Sequence, residues 1–211
     1  MKNTTKSQIE KFIQNNENLA HMKKDIEKTM TVLINCIANG KKILCCGNGG
    51  SCSDCEHISG ELLKSFKLKR TIEKIGDTKI CESNQKLFSS LQGGIKCIPL
   101  TSFSALNSAF ANDCNFEYVF AQLLNVLGDN GDVLLAVSTS GNSKNVLHAC
   151  EVAKMKGIKV VGLLGGNGGK VVEQANVSLI SPKSECFEVQ EDHIKLYHLL
   201  CLCLENEFFE N

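Results

Sequence analysis

Five short, almost uniformly apolar runs, each set between stretches of helical periodicity, constrain the fold of this 211-residue chain more than any other feature. They cover residues 41–46, 95–100, 132–137, 159–164 and 177–180. A strand that is apolar on both faces is covered on both faces, and strands separated by helices pair in parallel. Helical spacing of apolar residues runs through 53–66, 102–110, 116–127, 144–156, 170–175 and 187–207. The pattern predicts an α/β fold, a doubly wound five-stranded parallel sheet. Ahead of it, Ile9, Phe12, Leu19, Ile26, Met30 and Leu33 predict a long N-terminal helical arm over residues 1–39. That arm is either one helix or two joined near residues 15–18, and Asn39-Gly40 stops it. Residues 67–95 are polar and irregular and read as an excursion from the core. One core accommodates a chain of this length, so residues 1–211 are expected to form a single domain.

Charge narrows the function classes. Lys+Arg 23 against Asp+Glu 23 leaves a formal net charge of zero, and no basic run is long enough to track a phosphate backbone. No nucleic-acid partner is expected. The apolar runs are far too short to cross a bilayer, and the opening MKNTTKSQIEKF lacks the apolar core of a secretory signal. Twelve cysteines could suggest a disulfide framework, but many lie inside apolar runs, such as Cys45, Cys46, Cys97, Cys201 and Cys203. They read as small buried hydrophobes of a reducing, cytoplasmic protein. Cys52-Ser53-Asp54-Cys55 has redox spacing but no second pair, so a redox or zinc-storage protein is a distant reading.

The chemistry lies in the turns. In parallel sheets, ligands bind beyond the carboxyl ends of the strands. The third strand runs into Ser138-Thr139-Ser140-Gly141-Asn142-Ser143 and then a helix. Hydroxyls and free N–H groups at a helix N-terminus suit a phosphate, and the absence of Lys or Arg inside the loop points to a monophosphate. The first strand runs into Gly47-Asn48-Gly49-Gly50-Ser51, a second phosphate-competent turn. Neither turn has the Walker or the dinucleotide pattern. Gly165-Gly166-Asn167-Gly168-Gly169 carries no hydroxyl and reads as plain loop.

Two helices supply titratable groups. His57 and Glu61, four apart, share a face and suit either a divalent metal or acid–base work. The last helix carries Gln190, Glu191, His193 and His198, with His198 on an apolar stripe where it needs a partner. Gln190 and His193 have the better spacing for joint ligation on a regular helix, since Gln190 and His198 are about 12 Å apart along the axis.

Together, Cys46-Gly47-Asn48-Gly49-Gly50-Ser51, His57, Glu61, Asn112-Asp113, the 138–143 run, and Gln190, Glu191 and His198 resemble the sugar isomerase (SIS) domain family. Within it they are similar to the phosphoheptose isomerase branch, over about residues 10–205. The resemblance implies a flavodoxin-like sheet and an aldose–ketose isomerase acting on a phosphosugar, most readily sedoheptulose 7-phosphate, through an enediol. It implies substrate binding by Asn48, Gly49, Gly50, Ser51, Asn112, Asp113, Ser138, Thr139, Ser140, Ser143 and Gln190. It assigns zinc to His57, Glu61, Gln190 and His198, and acid–base catalysis to Glu61 and His198. It further implies a cytoplasmic homotetramer with active sites between subunits. Two positions depart from the pattern: Ser65 replaces a basic residue and Phe187 an acidic one. These departures leave a non-catalytic phosphosugar sensor or partner-binding protein as the alternative.

Overall fold

The computed structural model describes residues 1–210. The arm resolves into two helices, α1 (Asn3–Asn15) and α2 (Lys23–Ala38), joined by a 3-10 turn over Glu17–Met22. Asn16 breaks the first helix: its backbone leaves the helical region, and its side chain donates to the Phe12 carbonyl at 2.9 Å. The chain then alternates: β1 (Ile43–Cys46), α3 (Gly50–Leu63), the hairpin strands β2 (Lys74–Ile75) and β3 (Thr78–Lys79), α4 (Gln85–Ser90), and β4 (Cys97–Pro99). There follow α5 (Ser104–Asp113), α6 (Val119–Leu127), β5 (Val133–Ser138), α7 (Lys144–Met155), β6 (Lys159–Gly165), α8 (Val171–Gln174), β7 (Val177–Ser181) and α9 (Cys186–Phe209).

Five strands form one sheet in the order β4-β1-β5-β6-β7, with every neighbouring pair parallel. Numbered by chain position within the sheet, this is the 2-1-3-4-5 order of flavodoxin-like domains, whose direction of winding reverses between β1 and β5. All residues of β1 and β5 are buried, which explains why they read as continuous apolar runs. Helices cover both faces. One face packs Leu33 of α2, Ile58 and Leu62 of α3, and Leu196, Leu200 and Leu204 of α9 against Ile43, Leu135 and Leu163. The other packs Leu123 and Leu124 of α6 and Val146, Ala149 and Ala153 of α7 against Leu44, Leu134 and Leu164.

The 67–95 excursion is more ordered than its polarity suggests. It holds a two-stranded hairpin, turned at Gly76-Asp77, and the short α4, whose Phe88 is buried. Its root is an ion pair with both partners fully buried: Arg70 Nε donates to Glu205 at 2.8 Å. The other Glu205 contacts are the backbone N–H groups of Phe66, Lys67 and Leu68, at 2.8 to 2.9 Å. A buried carboxylate so surrounded is fully satisfied, and the chain is thereby tied to α9 as it leaves α3. All twelve cysteines are free, and most are buried, including Cys45, Cys46, Cys97, Cys201 and Cys203. Cys55 of the CxxC is buried inside α3, where burial holds its thiol well above the ordinary range.

Candidate active site

The turns that follow β1 and β5 diverge at the reversal point, the place where a doubly wound sheet opens a crevice. They are bolted together. Asn48 of the first turn and Asn145 of α7 exchange two amide hydrogen bonds of 2.8 Å. Ser143 stands at the N-cap position of α7, but its hydroxyl makes no capping bond. It faces Ser138 instead, oxygen to oxygen at 3.2 Å. The first N–H groups of α7 are therefore left without a side-chain acceptor, and two hydroxyls are aimed at each other across the turn: a cradle for an anion. Ser140 Oγ accepts from the Asn142 backbone N–H at 3.2 Å, which fixes the tip of the loop.

Gly165–Gly169, expected to be plain loop, is the buttress of this cradle. The Val171 N–H donates to the Gly141 carbonyl at 2.9 Å, and the Lys170 N–H to Asn142 Oδ1 at 3.2 Å. The two backbones are so close that a Cβ on Gly141, whose φ is +64°, would lie 2.0 Å from the Gly168 carbonyl oxygen. Only glycine fits both the backbone angle and the gap.

Helices α3 and α9 pack side by side and run in the same direction, since Gly50 meets Gln190 near their starts and His57 meets Tyr197 further along. The Gln190 amide lies over Gly50, where a Cβ would stand 2.2 Å from its Nε2. Two turns on, His57 Nε2 is 3.3 Å from Glu61 Oε1 and 3.5 Å from His198 Nε2. The His57 Nδ1 is 2.9 Å from the Tyr197 hydroxyl. His198 packs against Phe66, and burial, with the His57 charge as a lesser contribution, lowers its pKa and favours the neutral ring. Lys64 reaches Glu61 Oε2 at 3.4 Å from the solvent side.

The site residues expected from the sequence therefore fall into groups. Asn48, Gly49, Gly50, Ser51, Ser138, Thr139, Ser140 and Ser143 line the two turns, while His57, Glu61 and His198 form one cluster. Gln190 joins the turns and not the histidines, because eight residues on a straight helix separate it from His198 by about 12 Å. Within one protomer the Gln190 amide stands against Gly50, about 12 Å along α9 from His198. Asn112 and Asp113, exposed at the end of α5, bond to each other at 2.8 Å and make no hydrogen bond to the cradle among the described residues. His193 is fully buried and bonds the Leu164 carbonyl at 3.1 Å, so it anchors α9 to β6. Ser65 accepts from the Arg70 backbone N–H at 3.0 Å and serves the excursion, and Phe187 is exposed.

The nitrogen and carboxylate donors of the cluster suit zinc. Their 3.3 and 3.5 Å separations lie near the edge of about 3.3 Å expected for a tetrahedron of 2.0–2.1 Å bonds. Among the described residues no three His, Cys, Asp or Glu side chains stand preassembled around one point.

Tyr197, Arg70 and Glu205 escaped the sequence reading. Of these only Tyr197, adjacent to His198, carried a local signal.

Fold and site together define a doubly wound α/β domain with an anion cradle at its reversal point and an acid–base cluster three helical turns along. The chain belongs to the SIS domain family, whose model matches residues 9–92 and 94–165. It is 37% identical over 192 residues to a phosphoheptose isomerase of Helicobacter pylori, covering 91% of this chain and 88% of that protein. Its fold is similar to phosphoheptose isomerase GmhA from Neisseria gonorrhoeae, with a TM-score of 0.74, 28% identity, and 95% and 94% of the two chains covered. A phosphoheptose isomerase from Francisella tularensis gives a TM-score of 0.73 at 28% identity, covering 98% of this chain and 100% of that one.

Proposed function

We propose that this protein is an aldose–ketose isomerase of phosphosugars that interconverts sedoheptulose 7-phosphate and an aldose heptose 7-phosphate. The observation that carries the reading is the Glu61, His57 and His198 cluster, built on two helices whose starts frame the hydroxyl cradle. The similarity to phosphoheptose isomerases over nearly the whole chain supports the same reading.

Isomerisation moves a proton between neighbouring carbons through an enediol, which needs one group to work on carbon and another on oxygen. The phosphate is held by Ser138, Ser143, Ser140 and Thr139 with the α7 N–H groups, and Asn48, Gly49, Gly50, Ser51 and Gln190 border the sugar. Anchoring the phosphate orients the reacting carbons and turns binding energy into alignment. Glu61 abstracts the carbon-bound proton, and neutral His198 exchanges protons with the neighbouring oxygens. Glu61 lies eleven residues beyond Gly50, about 16 Å along α3, so a short sugar phosphate anchored in the same protomer would not reach it. A site shared between subunits answers that distance. The assembly proposed is a homotetramer with sites at its interfaces, and sedimentation at the tetramer mass is the expected result.

Zinc would be held by His57, Glu61 and His198, with Gln190 contributed across an interface. When bound, it supplies polarisation of the sugar carbonyl. The proposed location is the cytoplasm, in keeping with free thiols throughout and with the absence, among the described residues, of a helix long and apolar enough to cross a membrane.

The test is NMR-monitored turnover of sedoheptulose 7-phosphate. Formation of aldose is expected, with kcat lowered by about 10²–10⁴ in Glu61→Gln and KM little changed. No aldose, with or without added zinc, overturns the reading. The unfamiliar Ser65 and Phe187 favour the second reading, a phosphosugar sensor. Sugar-phosphate affinity equal in wild type and Glu61→Gln, with both inactive, is the result that selects it.

A further inference from the structure

The start of α7 departs from what a helix start favours. Its first residue is Lys144, a cation placed where the helix dipole is positive, and its first turn holds no acidic residue. Carboxylates are the stabilising side chains there, and an ammonium is opposed by the field of the free N–H groups. Ser143, at the N-cap, does not answer those groups either, because its hydroxyl is turned to Ser138. Positive potential is thus concentrated at the mouth of the cradle, to the disadvantage of α7. Local losses of this kind collect at functional sites.

One carboxylate meets Lys144, and it comes from another element. Lys144 Nζ is 2.7 Å from Glu117 Oε1. Glu117 stands on the 3-10 turn Phe116–Tyr118, whose N-cap Asn115 accepts from the Glu117 N–H at 2.8 Å. The hydrogen bond to Glu117 raises the Lys144 pKa, so the side chain is an ammonium wherever a phosphate monoester is a dianion. The pair is exposed, 68% for the lysine side chain and 38% for the glutamate, and exposed ion pairs are weak and readily exchanged.

The same pair divides two hollows. One, of about 320 Å³, is lined by Asn48, Ser143 and Asn145 of the cradle together with Phe116, Glu117 and Lys144. The other, of about 510 Å³, continues along α7 past Leu147, His148 and Glu151, and Glu117 and Lys144 line it too. There is open space on both sides of the ion pair, so its two side chains can separate without displacing the core.

We infer that Lys144 is a further phosphate-binding residue, which leaves Glu117 for the phosphate of a sugar entering the cradle, and that Glu117 sets the affinity by competing for it. At equal distance a dianion attracts an ammonium twice as strongly as a single carboxylate does. The anion also neutralises the α7 N–H groups, which removes the field that opposed Lys144. The Glu117 carboxylate lines the same hollow as Ser143 and repels the phosphate, so it weakens binding in its own right. Together the two residues select a doubly charged tail over a singly charged or neutral one. The inference rests on the cradle as the phosphate site of the isomerase reading above, and turnover plays no part in it.

The experiment is calorimetric titration with inorganic phosphate of wild type, Lys144→Gln, Lys144→Arg and Glu117→Gln. Lys144→Gln is expected to weaken phosphate by about tenfold, the value of a hydrogen bond to a charged group, and Lys144→Arg to restore most of it. Glu117→Gln is expected to tighten phosphate by about threefold, since it removes a nearby like charge. Opposite signs are the signature, because an ion pair that only braced the turn would be lost alike in both. The Tm of Lys144→Gln should equal or exceed that of wild type, as a cation leaves the helix start. With sedoheptulose 7-phosphate, KM follows the phosphate affinities while kcat stays within about twofold, the pattern of lost uniform binding. Equal phosphate affinity in wild type and Lys144→Gln overturns the inference, as do shifts of the same sign in Lys144→Gln and Glu117→Gln, or a wild type that binds no phosphate. The expected phosphate pattern in a protein that forms no aldose sinks the isomerase reading and leaves this one standing.

Discussion

At the scale of single residues, the cradle and the acid–base cluster separate binding from chemistry. Ser143 is informative because its position is that of an N-cap while its hydroxyl is turned to Ser138. A serine used as a cap would stabilise α7, and its loss would cost stability and leave the substrate alone. A serine aimed into the cradle acts on the phosphate. Ser143→Ala is therefore expected to raise KM for the sugar phosphate by roughly tenfold or more, the value of one hydrogen bond to a charged group, with kcat and Tm close to wild type. Steady-state kinetics with a parallel melting curve checks this, and a fall in Tm with unchanged KM would restore the capping role. The same scale shows how glycine serves the site. Gly50 admits the Gln190 amide against α3, and Gly141 admits the Gly168 carbonyl. The first turn showed in the sequence as glycine-rich and the second as hydroxyl-rich with one glycine. Which glycines the site needs, and against which partner, depends on chain segments brought together from far apart.

At the scale of elements, α3 and α9 are the frame, and one buried ion pair holds their far ends. Arg70 donates from Nε to Glu205 on α9, from Nη1 to the Leu62 carbonyl at 2.8 Å, and from Nη2 to the Glu61 carbonyl at 3.2 Å. It thus closes the C-terminus of α3 beside Glu61, where no glycine or capping residue does so. Arg70→Met leaves Glu205 buried with its charge uncompensated and is expected to cost about 3–5 kcal/mol, measured by chemical denaturation. Acid adds a signature. Burial by itself pushes the Glu205 pKa up, but the backbone N–H groups of Phe66, Leu68 and Lys67, with Arg70, outweigh it, and the net shift is down from 4.5. A carboxyl with a depressed folded pKa contributes stability that is present above its unfolded value and is lost as pH falls through the folded one. The Tm gap between wild type and Glu205→Gln should therefore be widest above about pH 4.5 and close on further acidification; a gap that widens in acid would sink the assignment. The excursion that Arg70 roots was read from sequence as irregular because its hairpin strands are two residues each, too short to show alternation. The Gly76-Asp77 pair was the available signal, a two-residue turn of the kind hairpins use.

At the scale of the whole molecule, the cysteines report how completely the sheet is wrapped. Twelve thiols in a chain without a disulfide are tolerable when most are buried, and only Cys81, Cys114 and Cys186 are exposed. Burial drives the thiols of Cys46 and Cys55 well above the ordinary range and that of Cys150 up to about 12, so they are poor nucleophiles as well as inaccessible ones. Thiol titration of the native protein is expected to show three fast-reacting groups, and after denaturation all twelve. Fewer than twelve in denaturant without reductant would reveal a disulfide. The sequence by itself determined the element types outside the 67–95 excursion, the parallel sheet, the hydroxyl cradle and the His57–Glu61 pair, since each is written in neighbouring residues at a fixed period or spacing. Tertiary structure alone decided that β1 lies between β4 and β5, that Gly165–Gly169 braces the cradle, that Gln190 parts from His198, and that Tyr197 stands behind His57. These are pairings over long chain separations, chosen by the summed burial and hydrogen bonding of the whole fold. No local pattern records such a sum, because every residue in it would serve equally well against a different neighbour.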